Sequence, residues 1–189
     1  FAVLFFHFPA QQAIHLSTMT SLPDLFAALG MQPFEWQALA MQDEARLQRL
    51  TNPRRSGTST FGVLKLIAAA TSHPNRLVGL VVPGRPRANQ RFVGLAELLV
   101  RASIAADSDR SGLFFRFDNG SKLLVLGIES TPAEYGPCEV RGLSFDALVL
   151  DHEGQLDWLL PSDTDPGMVP SVFVKQGWLL ELKTTEERP

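Results

Sequence analysis

Cysteine is nearly absent: Cys138 stands alone in 189 residues. That excludes an intramolecular disulfide and a multi-cysteine zinc site, and it fits a reducing, intracellular setting. Histidine is scarce too. His7, His15, His73 and His152 are scattered without the spacing of metal ligands, so each reads as a surface or packing residue. Positive charge is not in excess: a net charge of −3 offers nucleic acid no global attraction, and any such contact has to be local. A long apolar run is missing as well. Phe1 to Phe8 is strongly apolar, but it is too short to span a bilayer and lacks the charged flank of a signal peptide, so no membrane contact is expected. There are no internal repeats and no low-complexity tracts.

What is present is the composition of a globular domain, 45% hydrophobic and 20% charged, with enough length for one sizeable core. Ser21-Leu-Pro-Asp24 starts a helix, with a cap residue, an early Pro and an acid three positions on, and Gly30 stops it. Residues 1–18 are expected to be an extension ahead of a single domain over 19–189. A second helical stretch, Pro33 to about Glu44, carries Phe34, Trp36 and Leu39. A strand from Ala45 to Thr51, a loop and a well-buried helix from Ser59 to Thr71 follow. Leu77 to Val82 is an apolar, β-branched run ended by Pro83-Gly84, and Gln90 to Ala105 reads as helix. Two β-rich runs, Leu113 to Phe117 and Lys122 to Leu126, flank Asn119-Gly120 and predict a hairpin. Ile128 to Gly142 reads as loop, Phe145 to Leu150 as a buried strand ending in Asp151, and Trp178 to Leu182 as a further strand. This alternation predicts an α/β fold: a mainly parallel sheet with helices on both faces and one β-hairpin.

The stretch Asn52-Pro53-Arg54-Arg55-Ser56-Gly57-Thr58-Ser59-Thr60 lies between a strand and a helix. A Gly-containing turn there aims unpaired backbone N–H groups and the helix dipole at one spot, which is how proteins cradle phosphate. Against the phosphate-binding pattern G-x-x-x-x-G-K-[ST], Gly57 and Ser59 fall in register, Asn52 replaces the first Gly, and Thr58 stands at the lysine. The plainer reading is ordinary helix capping. Asp151, after four apolar residues, sits where a strand-end acid can hold a metal or simply start a turn.

Taken together, the order of segments is similar to the ATPase domain of tailed-phage terminase large subunits, over residues 30–160. The resemblance rests on Phe34-Glu-Trp36-Gln37, on Arg54, Arg55, Gly57 and Ser59 against R-R-x-G-K-[ST], on Val82-Pro83 through Gln90, and on Arg141-Gly142 with Phe145-Asp146 leading into Asp151. It implies a P-loop NTPase-like domain using ATP and Mg²⁺. Gln37 would meet adenine; Arg54, Arg55, Ser56, Gly57, Thr58, Ser59 and Thr60 would surround the phosphates; and Ser59 with Asp151 would hold Mg²⁺. Glu153 would position the attacking water, and Arg141 would face a neighbouring subunit's phosphate. The partners implied are double-stranded DNA, a portal and a small terminase subunit, with room for a homo-oligomer, in the host cytoplasm. For Gln37 and Arg141 the plainer readings are a solvated helix residue and a loop residue paired with an acid.

Two departures touch the chemistry. Thr58 replaces the phosphate lysine, and the family's Asp-Glu pair is Asp151-His152, with Glu153 one position late. A charged hydrogen bond is worth about 1.5–3 kcal/mol, so losing the lysine alone implies a rate deficit of at least about ten- to a hundredfold, and more where charge grows in the transition state. No cluster of carboxylates follows Leu160, so no nuclease domain is expected, and Thr184-Thr185 faintly resembles the family's coupling motif. A non-catalytic P-loop scaffold or gene remnant that binds a partner, and a helicase-type motor, are the alternatives. Arg85, Arg87 and Arg91 form a local basic group, read either as a contact to DNA phosphates or as a solvated loop.

Overall fold

The computed structural model describes residues 21–128, 143–152 and 177–185. In chain order they form α1 (Leu22–Ala28), α2 (Glu35–Gln42), β1 (Leu47–Pro53), α3 (Thr58–Ser72), β2 (Leu77–Pro83), α4 (Arg85–Arg101), β3 (Ala106–Asp109), β4 (Phe114–Phe117), β5 (Lys122–Ile128), β6 (Ala147–His152) and β7 (Trp178–Thr185). The strands make one sheet in the order β1-β7-β6-β2-β5-β4-β3. Pairing is parallel from β1 through β5, and antiparallel where β4 and β3 extend the far edge. The sheet is thus mainly parallel, as the alternation of elements predicts, but β3, β4 and β5 make two consecutive hairpins where one was expected, and the described helices pack on one face of the sheet instead of both.

Period-two burial splits the core. Val78, Leu80 and Val82 of β2, Ala147 and Val149 of β6, and Leu180 and Leu182 of β7 face the described helices, packed with Phe26, Phe61, Ile67, Phe92 and Leu95. Val81, Leu148, Leu150 and Leu179 point the other way and cluster with Ile128 and Phe145. β6 is buried along its whole length, which is why it reads as a continuous apolar run. Gly62 lets α3 lie close on this sheet: a Cβ there would come 2.5 Å from Leu182 Cδ1 and 3.0 Å from Val149 Cγ1.

Several boundaries move. β1 continues to Pro53, which an edge strand tolerates because its outer N–H positions need no partner. α4 begins at Arg85, five residues before the expected Gln90, because Pro86 falls in the first helical turn, where its missing N–H costs nothing. The group Arg85, Arg87 and Arg91 is therefore helical, not a loop. β3 went unpredicted since Ala-Asp-Ser-Asp has no apolar alternation, and an edge strand requires none. Within the hairpin, Gly120 takes φ +83°. The neighbouring Asn119 Nδ2 donates to Ala70 O at 2.8 Å and His73 O at 3.1 Å, and Ser121 Oγ donates to His73 O at 3.0 Å. The hairpin tip thus satisfies carbonyls at the C-terminal end of α3 that a helix end otherwise leaves open.

Lys65 is the one strongly displaced titrating group among the described residues. Its ammonium donates to Gln48 Oε1 and lies 4.9 Å from the centre of the Trp178 ring. Burial lowers its pKa to about 8, with Asp43 pulling weakly upward. Below that value lysine is charged in both folded and unfolded chains, and the desolvation cost is complete. Between about 8 and the ordinary 10.5 the native state gives up its proton first, so this group makes stability rise with pH in that window. Allowing for partial solvent access, the rise is expected to be about 1–2 kcal/mol. Urea unfolding at pH 7.5 and 10 should show it in the parent and not in Lys65→Met.

Candidate phosphate site

An open cavity of about 420 Å³ lies at the C-terminal edge of the parallel strands, lined by residues 53–60 together with Arg87, Arg91, Asp151 and His152. The loop from β1 to α3 holds two left-handed residues, Arg55 at φ +66° and Gly57 at φ +79°. A non-glycine residue in that region carries backbone strain, which is found where neighbouring structure fixes the chain. Gly57 is the N-cap of α3, and no side chain caps this end. In the first turn Phe61 N bonds to Gly57 O at 2.9 Å, and Thr58, Ser59 and Thr60, whose N–H groups a helix leaves without an intrahelical partner, line the cavity at the positive end of the helix dipole.

Side chains close the loop from behind. Gln37 is buried and does not line the cavity. Its Oε1 accepts from Phe34 N at 2.9 Å, and its Nε2 donates to Gly57 O at 3.2 Å. The Gln37 amide thus braces the loop against the start of α2, and the adenine contact expected of it would have to use its remaining N–H and lone pair. A Cβ at Gly57 would come 3.1 Å from Gln37 Nε2 and 3.2 Å from Phe34 Cε2. Thr58 is buried, and its Oγ1 shares a hydrogen bond of 2.7 Å with Ser56 Oγ. Arg54 and Arg55 are exposed at the rim, and Ser59 and Thr60 are half-buried.

Ser59 and Asp151 meet, although 92 residues separate them. Ser59 Oγ donates to Asp151 Oδ1 at 3.2 Å. A third group joins them from α4: Arg91 Nη2 donates to Ser59 Oγ at 2.9 Å and lies 2.7 Å from Asp151 Oδ2. That second contact is an ion pair outside hydrogen-bond alignment, so Oδ2 accepts no hydrogen bond among the described residues. A buried carboxylate oxygen of this kind would suit a metal ion, but the guanidinium already fills the position. Nor do the described residues hold any group of three or more His, Cys, Asp or Glu side chains suited to a metal. As arranged, the expected Mg²⁺ pair of Ser59 and Asp151 does not fit a divalent cation.

Sequence reading puts Arg91 in a basic group for DNA phosphates and misses its place between Ser59 and Asp151. Its signal was the four-residue spacing from Arg87, which puts both on one helix face once α4 is started at Arg85. His152 borders the cavity, but strand alternation sends its fully buried imidazole to the face opposite Asp151, with Nε2 3.4 Å from Glu181 Oε1. Arg49 Nε reaches Glu181 Oε2 at 3.2 Å, completing a polar line across β6, β7 and β1. Strand register sets Thr184 beside Asn52 and Thr185 beside Pro53, at the entrance to the loop. Glu153 and Arg141 lie outside the described residues. Asp146 is placed: its Oδ2 accepts from Leu77 N at 2.8 Å and ties the starts of β6 and β2 together.

A parallel sheet with a strand–loop–helix phosphate cradle after β1 and a strand-end acid on β6, with β7 inserted between them, defines the P-loop NTPase-like class of α/β fold. Within that class the solved structures are specific. The large terminase ATPase domain of Thermus phage P74-26 superposes with a TM-score of 0.67 and 19% identity, covering 88% of this chain and 70% of that one. The HK97 bacteriophage large terminase gives 0.63 and 16%, covering 89% of this chain and 38% of its own. The large terminase of a thermophilic bacteriophage, in complex with ATP-γ-S, gives 0.52 and 11%, covering 72% of this chain and 32% of that one. No protein-family model and no curated protein matches the sequence. At these identities the likeness is one of fold: the chain has the fold of a phage large terminase ATPase domain, over less than two fifths of the HK97 chain.

Proposed function

We propose that the chain is a terminase-like ATPase domain that binds the polyphosphate of ATP between its β1–α3 loop and α4, as part of a motor that packages phage DNA. The observation that carries this reading is the uncapped N-terminus of α3, which opens into a cavity rimmed by Arg54 and Arg55 on a terminase ATPase fold. The thermophilic phage terminase with ATP-γ-S supports nucleotide as the ligand class. In this reading the first-turn N–H groups of α3 hold the phosphates, and the two rim arginines add charge-assisted bonds. Double-stranded DNA, a portal and a small terminase subunit are the partners proposed, in the host cytoplasm. No helix among the described residues is long and apolar enough to cross a membrane.

Hydrolysis is a separate matter. The hydroxyl of Thr58 spends itself on Ser56, and His152 faces away from the helices, so neither supplies transition-state charge. Binding with weak turnover is therefore the function proposed.

Titration of a fluorescent ATP analogue, followed by anisotropy, tests the binding. Arg54→Ala combined with Arg55→Ala is expected to weaken it at least about a hundredfold, because two charged contacts of about 1.5–3 kcal/mol each are removed. Thr58→Ala should leave it nearly unchanged. Equal affinity in the parent and in the double variant would reduce the loop to a helix cap.

A further inference from the structure

Arg91 stands where the fold calls for a divalent cation, and the inference drawn from it rests on the polyphosphate reading above. We propose that Arg91 is a built-in counter-cation: its guanidinium takes the metal position between Ser59 and Asp151, so that this site binds polyphosphate without a metal ion.

Three observations support it. The first is position: one nitrogen, Nη2, touches both would-be metal ligands, at 2.9 Å from Ser59 Oγ and 2.7 Å from Asp151 Oδ2. The second is charge. The Asp151 side chain is 6% exposed, and a buried carboxylate needs a compensating cation. Arg91 already supplies that charge, and a guanidinium cannot discard it by losing a proton. A metal ion entering here would have to displace Arg91 and then tolerate it nearby. The third is access. The Arg91 side chain is 33% exposed and lines the cavity, one helical turn from Arg87. Both of these contacts use Nη2, and the planar fork carries further N–H donors on Nε and Nη1, with geometry suited to phosphate oxygens. A positive group thus faces the phosphates despite Thr58 at the lysine position. Arg91 bridges the strand-end acid and the ligand as Mg²⁺ would, but as a permanent part of the chain.

The test uses the full chain with two probes. In the first, a fluorescent ATP analogue is titrated in EDTA and in Mg²⁺. The parent's dissociation constant is expected to agree within about threefold between the two conditions. Arg91→Ala is expected to lose at least about tenfold in EDTA, with Mg²⁺ restoring part of it. Arg91→Lys, which keeps a cation, should fall between them. A parent that tightens about tenfold or more with Mg²⁺ overturns the proposal, as does Arg91→Ala binding like the parent in EDTA.

In the second, Mn²⁺ alone is titrated and followed by electron paramagnetic resonance. The parent should not take up Mn²⁺, whereas Arg91→Ala should bind one ion that Asp151→Asn removes. Mn²⁺ uptake by the parent that depends on Asp151 overturns the proposal even if no nucleotide binds. Absence of nucleotide binding in every condition, with the parent refusing Mn²⁺, defeats the polyphosphate reading and this inference's binding half with it. Thermal melting of each variant by circular dichroism separates loss of fold from loss of binding.

Discussion

Gly57→Val is expected to remove measurable ATP binding altogether while leaving a folded but weaker protein. Two effects combine at this residue. Its φ of +79° is left-handed, a region that costs a β-branched side chain of the order of 1–2 kcal/mol. A Cβ would also press on Gln37 Nε2 at 3.1 Å and Phe34 Cε2 at 3.2 Å. Gln37 is itself held at both ends, so relief has to come from the loop, which would swing away from its brace and carry the first-turn N–H groups with it. The expected result is a loss of about 2–3 kcal/mol in urea unfolding and no anisotropy change with the ATP analogue. Gln37→Ala offers the milder counterpart. It removes the brace without the strain and should weaken binding only several-fold. If Gly57→Val binds like the parent, phosphate does not sit at this turn.

Much of the architecture was legible because burial writes period and length into the sequence. Val78 to Val82 and Ala147 to Leu150 are covered on both faces, so they read as unbroken apolar runs and predict a parallel sheet. Asn119-Gly120 announced the hairpin through the one turn chemistry that tolerates positive φ. The polar parts were harder. β3 has no apolar period, and Arg85-Pro86-Arg87 looks like loop until the proline is placed in a first helical turn. For the site, the pairing of Ser59 with Asp151 is foreseen from a helix start and a strand end, whereas the place of Arg91 between them is not. Spacing within a motif says which backbone carries a group. It does not say which long side chain from a neighbouring helix reaches across to it, since that depends on how α4 docks. Gln37 shows the same limit: its residue type suits a base contact, and only packing reveals that its amide also braces the loop through Phe34 N and Gly57 O.

The parent is expected to show ATP turnover at or near background, and Thr58→Lys to raise it by less than about tenfold, well short of the about ten- to a hundredfold that a missing lysine alone would account for. The new ammonium would start from a buried position in the first turn of α3, after breaking the hydroxyl pair with Ser56, and would enter a cavity already lined by Arg54, Arg55 and Arg91. Its charge is therefore partly redundant and is opposed by the helix dipole. The obvious second repair, His152→Glu, should make matters worse. The imidazole is fully buried on the far face of the sheet, 3.4 Å from Glu181, and a glutamate there would set two carboxylates side by side away from water. One must stay protonated or the strands must part, at a cost of about 3 kcal/mol. His152→Glu is thus expected to lower the melting temperature by several degrees and to add nothing to the Thr58→Lys rate. A steady-state phosphate-release assay, read beside a thermal melt, decides. Brisk hydrolysis by the parent would mean that the arginines already do the lysine's work; strong recovery in the double variant would mean that His152 turns toward the cavity when nucleotide is bound.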